Sequence, residues 1–258
     1  VLALVPNFMR AHYNLGLAYE KMGKRDKAIT ELQVALKIVQ NQNDFIGEKR
    51  IQRELERLQG LGDFTKVVQE EPSNISARLN LGIAFFRQGR YESAAEEFQK
   101  IVELDPRNEE GRYNYGLVLY RLNKYEQSVN EFKAAIEINN NNAAAHYNLG
   151  LAYASLDQPE KAISEFLTAT ELDPNDAYYF YNLGRVYARL GKTEETIRAY
   201  KKAIALDPND PYTHNNLGLA YMETDRLPMA IQEFLKAVDL DPNDAHVHYN
   251  LGQAYARQ

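Results

Sequence analysis

The sequence predicts an all-α solenoid built from antiparallel helix pairs, and three observations predict it. Asn-Leu-Gly or Asn-Tyr-Gly recurs at residues 80–82, 114–116, 148–150, 182–184, 216–218 and 250–252, always 34 residues apart. A second phrase close to Leu-Asp-Pro-x-Asn, around Pro106, Pro174, Pro208 and Pro242, keeps the same period. Within each period the apolar residues fall at helical spacing rather than alternating. Two separate phrases on one period mark a repeat array, in which each unit buries its apolar face against its neighbours.

Taking Ile75 as a first position, regular units cover 75–108, 109–142, 143–176, 177–210 and 211–244. Gly16 sets the register of another at 9–42. Residues 1–8 read as the tail of a preceding unit, since Leu2-Ala3-Leu4-Val5-Pro6-Asn7 matches Ile204-Ala205-Leu206-Asp207-Pro208-Asn209, and 245–258 reads as the first helix of a truncated one. Residues 1–258 therefore form one solenoid, expected to be a piece of a longer protein.

In the unit from 177, Asp176 caps the first helix, Leu183, Tyr187 and Leu190 share its apolar stripe, and Gly191 ends it. Ile197, Tyr200, Ile204 and Leu206 mark the second helix before Pro208. Gly23, Gly89, Asn123, Asp157 and Asp225 hold the same middle turn elsewhere, residue types that accept a left-handed C-cap. Gly82, Gly116, Gly150, Gly184, Gly218 and Gly252 stand mid-helix, where each costs about 1 kcal/mol against alanine. A close helix contact must compensate, with the small residues Ala94, Ser128, Ala162, Thr196 and Ala230 of the following helix as expected partners. Residues 43–74 break the pattern: Leu55 replaces the glycine, Ile51, Leu55 and Leu58 give an amphipathic helix, and a turn at Gly62 leaves a short second helix before Pro72. A degenerate repeat with a bend or loosened packing is expected there, in preference to a functional hinge.

Leu81, Gly82, Phe85, Ala94, Phe98, Ile101 and Pro106, and their equivalents Leu149, Gly150, Tyr153, Ala162, Phe166, Ala169 and Pro174, make the unit resemble the tetratricopeptide repeat over nearly the whole chain. The departures are the absence of a first-helix tryptophan, replaced by His12, Arg78, Arg112, His146, Phe180, His214 and His248, and Asn140 in place of the closing proline. The resemblance implies a right-handed superhelix whose first helices line an inner groove, with asparagines there contacting bound peptides. The co-chaperone subgroup, which clamps a C-terminal carboxylate with lysine at position 5 and asparagine at position 9, is not indicated, because tyrosine and leucine stand there.

The groove residues can be read from the helix itself. At 100° per residue, positions 4, 7, 8 and 11 face the core and 2, 6, 9 and 13 face away. Position 6 is always asparagine in the regular units: Asn14, Asn80, Asn114, Asn148, Asn182, Asn216 and Asn250. An amide offers both a donor and an acceptor to a peptide backbone of any sequence; the competing reading is a consensus residue making local bonds. Leu117 and Leu151 at position 9 add apolar contact, and Arg87, Arg121, Arg185 and Arg189 make this face basic in a chain of net charge −6. That asymmetry favours a partner with apolar and acidic side chains, although basic residues also complement helix ends. Tyr178 and Tyr212 at position 2 are ligand candidates, whereas the tyrosines at position 5 are expected to pack against the neighbouring repeat.

Other chemistry is not indicated. The chain has no cysteine, so it has neither a disulfide framework nor a thiolate metal site. His12, His146, His214 and His248 occupy a core-side slot one unit or more apart and His246 points away from His248, so no metal site is expected, and no phosphate loop follows a strand. The acidic balance disfavours a nucleic-acid partner. There is no apolar run of membrane-spanning length, so a soluble chain is expected; no targeting signal is visible, which leaves the compartment unassigned, with the cytoplasm favoured. Asn74-Ile75-Ser76 is a glycosylation sequon. The expected function is a non-catalytic, cofactor-free scaffold that holds an extended peptide segment of another protein. The alternatives are the substrate-recruiting arm of a larger enzyme, such as a glycosyltransferase, and a module that self-assembles through its exposed repeat ends.

Overall fold

The computed structural model describes residues 7–41 and 45–258, so most of the expected helix tail at 1–8 lies outside the described residues. The helices are α1 (Asn7–Lys21), α2 (Arg25–Asn41), α3 (Phe45–Glu70), α4 (Ile75–Arg87), α5 (Tyr91–Leu104), α6 (Glu109–Arg121), α7 (Tyr125–Ile138), α8 (Ala143–Ser155), α9 (Pro159–Leu172), α10 (Ala177–Arg189), α11 (Thr193–Leu206), α12 (Pro211–Glu223), α13 (Leu227–Leu240) and α14 (Ala245–Arg257). No strand occurs among the described residues. The chain forms two compact units, residues 1–104 and 105–258.

Side chains of fixed type start and stop these helices. Asn74, Asn108, Asn142, Asp176, Asp210 and Asp244 are extended N-caps whose side chains accept backbone N–H bonds from the first turn. Asn74 of the sequon is thus engaged as a cap. The middle turns take positive φ at Gly23, Gly89, Asn123, Asp157, Gly191 and Asp225. There the next N–H reaches back six residues inclusive, as in Lys124 to Leu119 and Gln158 to Tyr153, both 2.9 Å, closing the Schellman motif. Between repeats, Asp105, Asp173, Asp207 and Asp241 each accept the N–H two residues on. Asn139 does the same for Asn141, so this Asx turn forms without the closing proline.

Five of the six mid-helix glycines meet a close contact, in which the nearest atoms belong to a ring and not to the expected small residue, while Gly252 in α14 meets nothing within 4 Å. A Cβ on Gly82, Gly116, Gly150, Gly184 or Gly218 would lie 2.6–2.7 Å from the ring of Phe98, Phe132, Phe166, Tyr200 or Phe234. The bare backbone is therefore a seat for an aromatic ring, and the four phenylalanines are essentially fully buried. The small residues are buried alongside, and in one repeat Ser128 donates to the Gly116 carbonyl at 2.8 Å. The rings of Phe132, Phe166, Tyr200 and Phe234 belong to the core of the second unit, which runs through Leu149, Phe166 and Leu183 and through Leu217, Phe234 and Val247.

Residues 45–70 depart from the expected turn at Gly62, because α3 is one continuous helix of 26 residues. Leu55, at the glycine's place, is itself buried, together with Ile51, Leu58 and Leu61. The Arg25 guanidinium donates to the Leu58 carbonyl and occupies the space beside Gly62. No ring can seat on Leu55, so the chain has no close contact on which to fold back.

A second fixed pairing holds the hairpins. Position 4 of the first helix reaches a glutamate of the second: Arg78 to Glu97 at 2.5 Å, and Arg112 to Glu131, His146 to Glu165 and His214 to Glu233 at 2.7 Å. His12 pairs with Glu31 in the same way at 2.6 Å. Each of the first four also bonds the preceding loop: Arg78 to the Pro72 carbonyl, Arg112 to Pro106, His146 to Asn140 and His214 to Pro208. Around His214 both neighbours are acceptors, so both bonds together require both ring nitrogens to carry hydrogen. The Glu233 carboxylate holds this imidazole above its ordinary pKa, with burial pulling the other way. In the repeat from 177 the pair is Phe180 and Ala199, an apolar exchange of both partners at once.

Candidate functional site

Four of the seven asparagines of position 6, Asn148, Asn182, Asn216 and Asn250, are anchored from the repeat before. Asn148 Nδ2 donates to the Tyr113 hydroxyl at 3.1 Å and to the Ala144 carbonyl at 2.8 Å. Asn182 Nδ2 donates to Tyr147 at 2.9 Å and to the Tyr178 carbonyl at 3.0 Å. Asn216 reaches Tyr181 at 3.5 Å, and Asn250 reaches Asn215, which stands where the tyrosine would be, at 2.9 Å. Asn114 bonds its own Glu110 carbonyl at 2.8 Å, while Asn14 and Asn80 of the first unit are exposed. The expectation of amides free to donate is therefore corrected for Asn148 and Asn182, whose nitrogens are fully used. What they can still present is oxygen, and Asn182 Oδ1 is itself bonded to Arg185 at 3.2 Å.

Of the position-5 tyrosines, Tyr113, Tyr147 and Tyr181 reach the next repeat, whereas Tyr249 in α14 is exposed. Tyr147 lies 4.7 Å from Tyr179, ring to ring. Burial first, then Asp176, pushes the Tyr147 hydroxyl up to about 12, and burial raises Tyr113. Both phenols thus stay protonated and keep accepting the amide bonds.

Four predicted residues converge on one cleft of about 200 Å³: Leu151, Asn182, Arg185 and Arg189, joined by Tyr120, Ser155 and Val186. Arg185 and Arg189 are exposed, and Arg189 also touches Asp157 at 3.3 Å. Tyr178 and Tyr212 flank a different cleft, of about 390 Å³, between α10, α11 and α12. In the first unit Arg87 shares a cleft with Leu17 and Lys21, closed by the Glu20–Arg57–Glu54 ion pairs. Leu117 is half-buried against the core, and Arg121 stands exposed outside all three clefts. Tyr120 and Ser155, which bond each other at 3.2 Å, were not anticipated. Their signal was a 35-residue separation, one repeat plus one residue, the offset that also joins Tyr113 to Asn148. No group of acidic or histidine side chains able to hold a metal ion occurs among the described residues. None of the described helices is long and apolar enough to cross a membrane.

The profile of the TPR repeat matches residues 84–123, 116–157, 154–191, 184–225 and 222–258, and that of the tetratricopeptide repeat matches 9–41. No curated protein matches the chain. Among solved structures, the chain is similar to YrrB, described as a TPR protein with an unusual peptide-binding site, at 24% identity and TM-score 0.63, over 72% of this chain and 96% of that one. It is similar to MamA at 26% identity and TM-score 0.61, over 64% and 97%. It is also similar to pilF of Pseudomonas aeruginosa at 18% identity and TM-score 0.62, over 98% of both chains.

Proposed function

The chain belongs to the tetratricopeptide repeat family, and on that premise we propose that it holds an extended, acidic and apolar peptide segment of a partner protein against the first helices of its second unit. At the coarser level it is a protein–protein interaction scaffold, a fold that is typically non-enzymatic. The observation that carries the finer reading is the cleft at Leu151, Asn182, Arg185 and Arg189. Two exposed guanidiniums, one helical turn apart, stand over an aliphatic floor. Carboxylates pair with guanidinium through strong, charge-assisted bonds, and the floor takes an apolar neighbour. The amide oxygens of Asn148 and Asn216 face a backbone as acceptors of its N–H groups. The similarity to YrrB, a TPR protein with an unusual peptide-binding site, agrees with this reading.

The test is selection of random dodecapeptides by the full chain and by Arg185→Glu/Arg189→Glu, with circular dichroism confirming that both are folded. The wild type is expected to enrich carboxylate-bearing peptides that bind the double variant at least tenfold more weakly, about 1.4 kcal/mol. Equal binding by both would remove the assignment.

A further inference from the structure

The cleft between α10, α11 and α12 has a chemistry opposite to that of the arginine cleft. Its walls carry two large rings left in solvent, Tyr178 at 71% exposure and Tyr212 at 62%, and its floor is formed by Tyr181 and Ala203. The fold does not require these rings, because Ser76, Glu110 and Ala144 hold the same position in other repeats. No lining residue is basic, while Asp207 and Asp210 stand at the rim. Asp210 is spent as the cap of α12, bonding the Tyr212 and Thr213 N–H groups and the Thr213 hydroxyl. Asp207 is exposed and uses Oδ1 for the Asn209 N–H. Helix α11 ends here with no basic residue in its last turn, so its carbonyl pole adds negative potential.

Aromatic faces, a carboxylate and a helix C-terminus all favour a cation. We infer that this cleft takes an arginine or lysine side chain of the same partner segment, its cation against the Tyr178 and Tyr212 rings and Asp207. This inference rests on the peptide-binding reading above and extends it. Tyr178, Asn182, Arg185 and Arg189 succeed one another at i, i+4, i+7 and i+11, one face of α10. At about 1.5 Å per residue, Tyr178 lies roughly 10 Å from Arg185 and 16 Å from Arg189 along the axis. An extended segment advances about 3.3 Å per residue. The partner therefore carries a basic side chain three to five positions from a carboxylate, and the two clefts together fix its direction along the face.

The same dodecapeptide selection tests this with the full chain and two further variants, Tyr178→Ala/Tyr212→Ala and Tyr178→Phe/Tyr212→Phe. The wild-type consensus is expected to pair a basic with an acidic position at that spacing. A synthetic peptide of that sequence should bind the alanine variant at least tenfold more weakly and the phenylalanine variant nearly normally. Replacing its basic residue by alanine should weaken binding to the wild type but not to the alanine variant. A consensus that needs Arg185 and Arg189 yet has no basic position overturns the cation cleft and leaves the acidic-peptide reading standing. Additive losses in the pairwise test overturn it equally, and failure of the wild type to enrich any peptide overturns both readings.

Discussion

The hairpin α8–α9 and the helix α3 begin from similar material and end differently. Both carry amphipathic stripes, and both have a turn-tolerant residue after the first stripe, Asp157 in one and Gly62 in the other. Asp157 takes positive φ and reverses the chain, whereas Gly62 stays within a helix that runs on to Glu70. The difference lies upstream of the turn. Gly150 seats the Phe166 ring, while Leu55 fills the same place with its own side chain. A residue that permits a turn does not cause one; the reversal is stabilised by the contact made after it.

The comparison breaks most visibly at the ring. Phe166→Ala empties a fully buried seat and should lower unfolding stability by about 3–5 kcal/mol, whereas Phe64→Ala in α3, where the ring is half-buried, should lower it by less than about 2 kcal/mol. Urea midpoints measure both. If Phe64 proves as costly as Phe166, the ring seat is not what separates the two regions.

One substitution with opposite signs sharpens it further. Gly150→Ala drives a Cβ to 2.7 Å from a ring that cannot move, and overpacking of about 1–3 kcal/mol outweighs the gain in helix propensity. Gly60→Ala in α3 meets nothing closer than 4.0 Å and should stabilise by up to about 1 kcal/mol. The smallest effect distinguishes hairpins from one another. His214 has a raised folded-state pKa, so its pairing with Glu233 stabilises fully below the unfolded histidine value and is lost as pH rises through the folded one. The groups facing it are Glu233, Lys236 and the Pro208 carbonyl, with Asp239 nearby. Stability should therefore decline across that window on the alkaline side, and His214→Arg, copying Arg112, should flatten part of the decline in midpoints measured at several pH values.

The fold was legible because its signals are local and repeated: N-caps, middle turns and Asx turns each lie within a few residues of what they satisfy. The α3 helix was misread because Gly62 looks like a turn and the missing ring seat shows only by its absence. The ring partner of the glycine was missed, because Phe166 lies one turn beyond Ala162, the small residue that the simpler geometry suggests. The site was legible as a face but not as a set of bonds. Asn182 and Tyr147 stand 35 residues apart, and nothing in either helix alone shows that one amide is already held by the other's hydroxyl. The same holds for His146 with Glu165, although the joint replacement by Phe180 and Ala199 was a readable trace of that pairing.

The bond from Tyr147 to Asn182 bears on how such an array could be cut and recombined. The repeats that carry Asn148, Asn182 and Asn216 each supply the asparagine of their own face but borrow the hydroxyl that orients it, so this part of the face belongs to the junction and not to the unit. A single repeat transplanted into another scaffold would bring its asparagine without its anchor. The smallest portable piece of this surface is two consecutive repeats, and a graft made at the 34-residue period keeps its function only if the donor's preceding tyrosine travels with it.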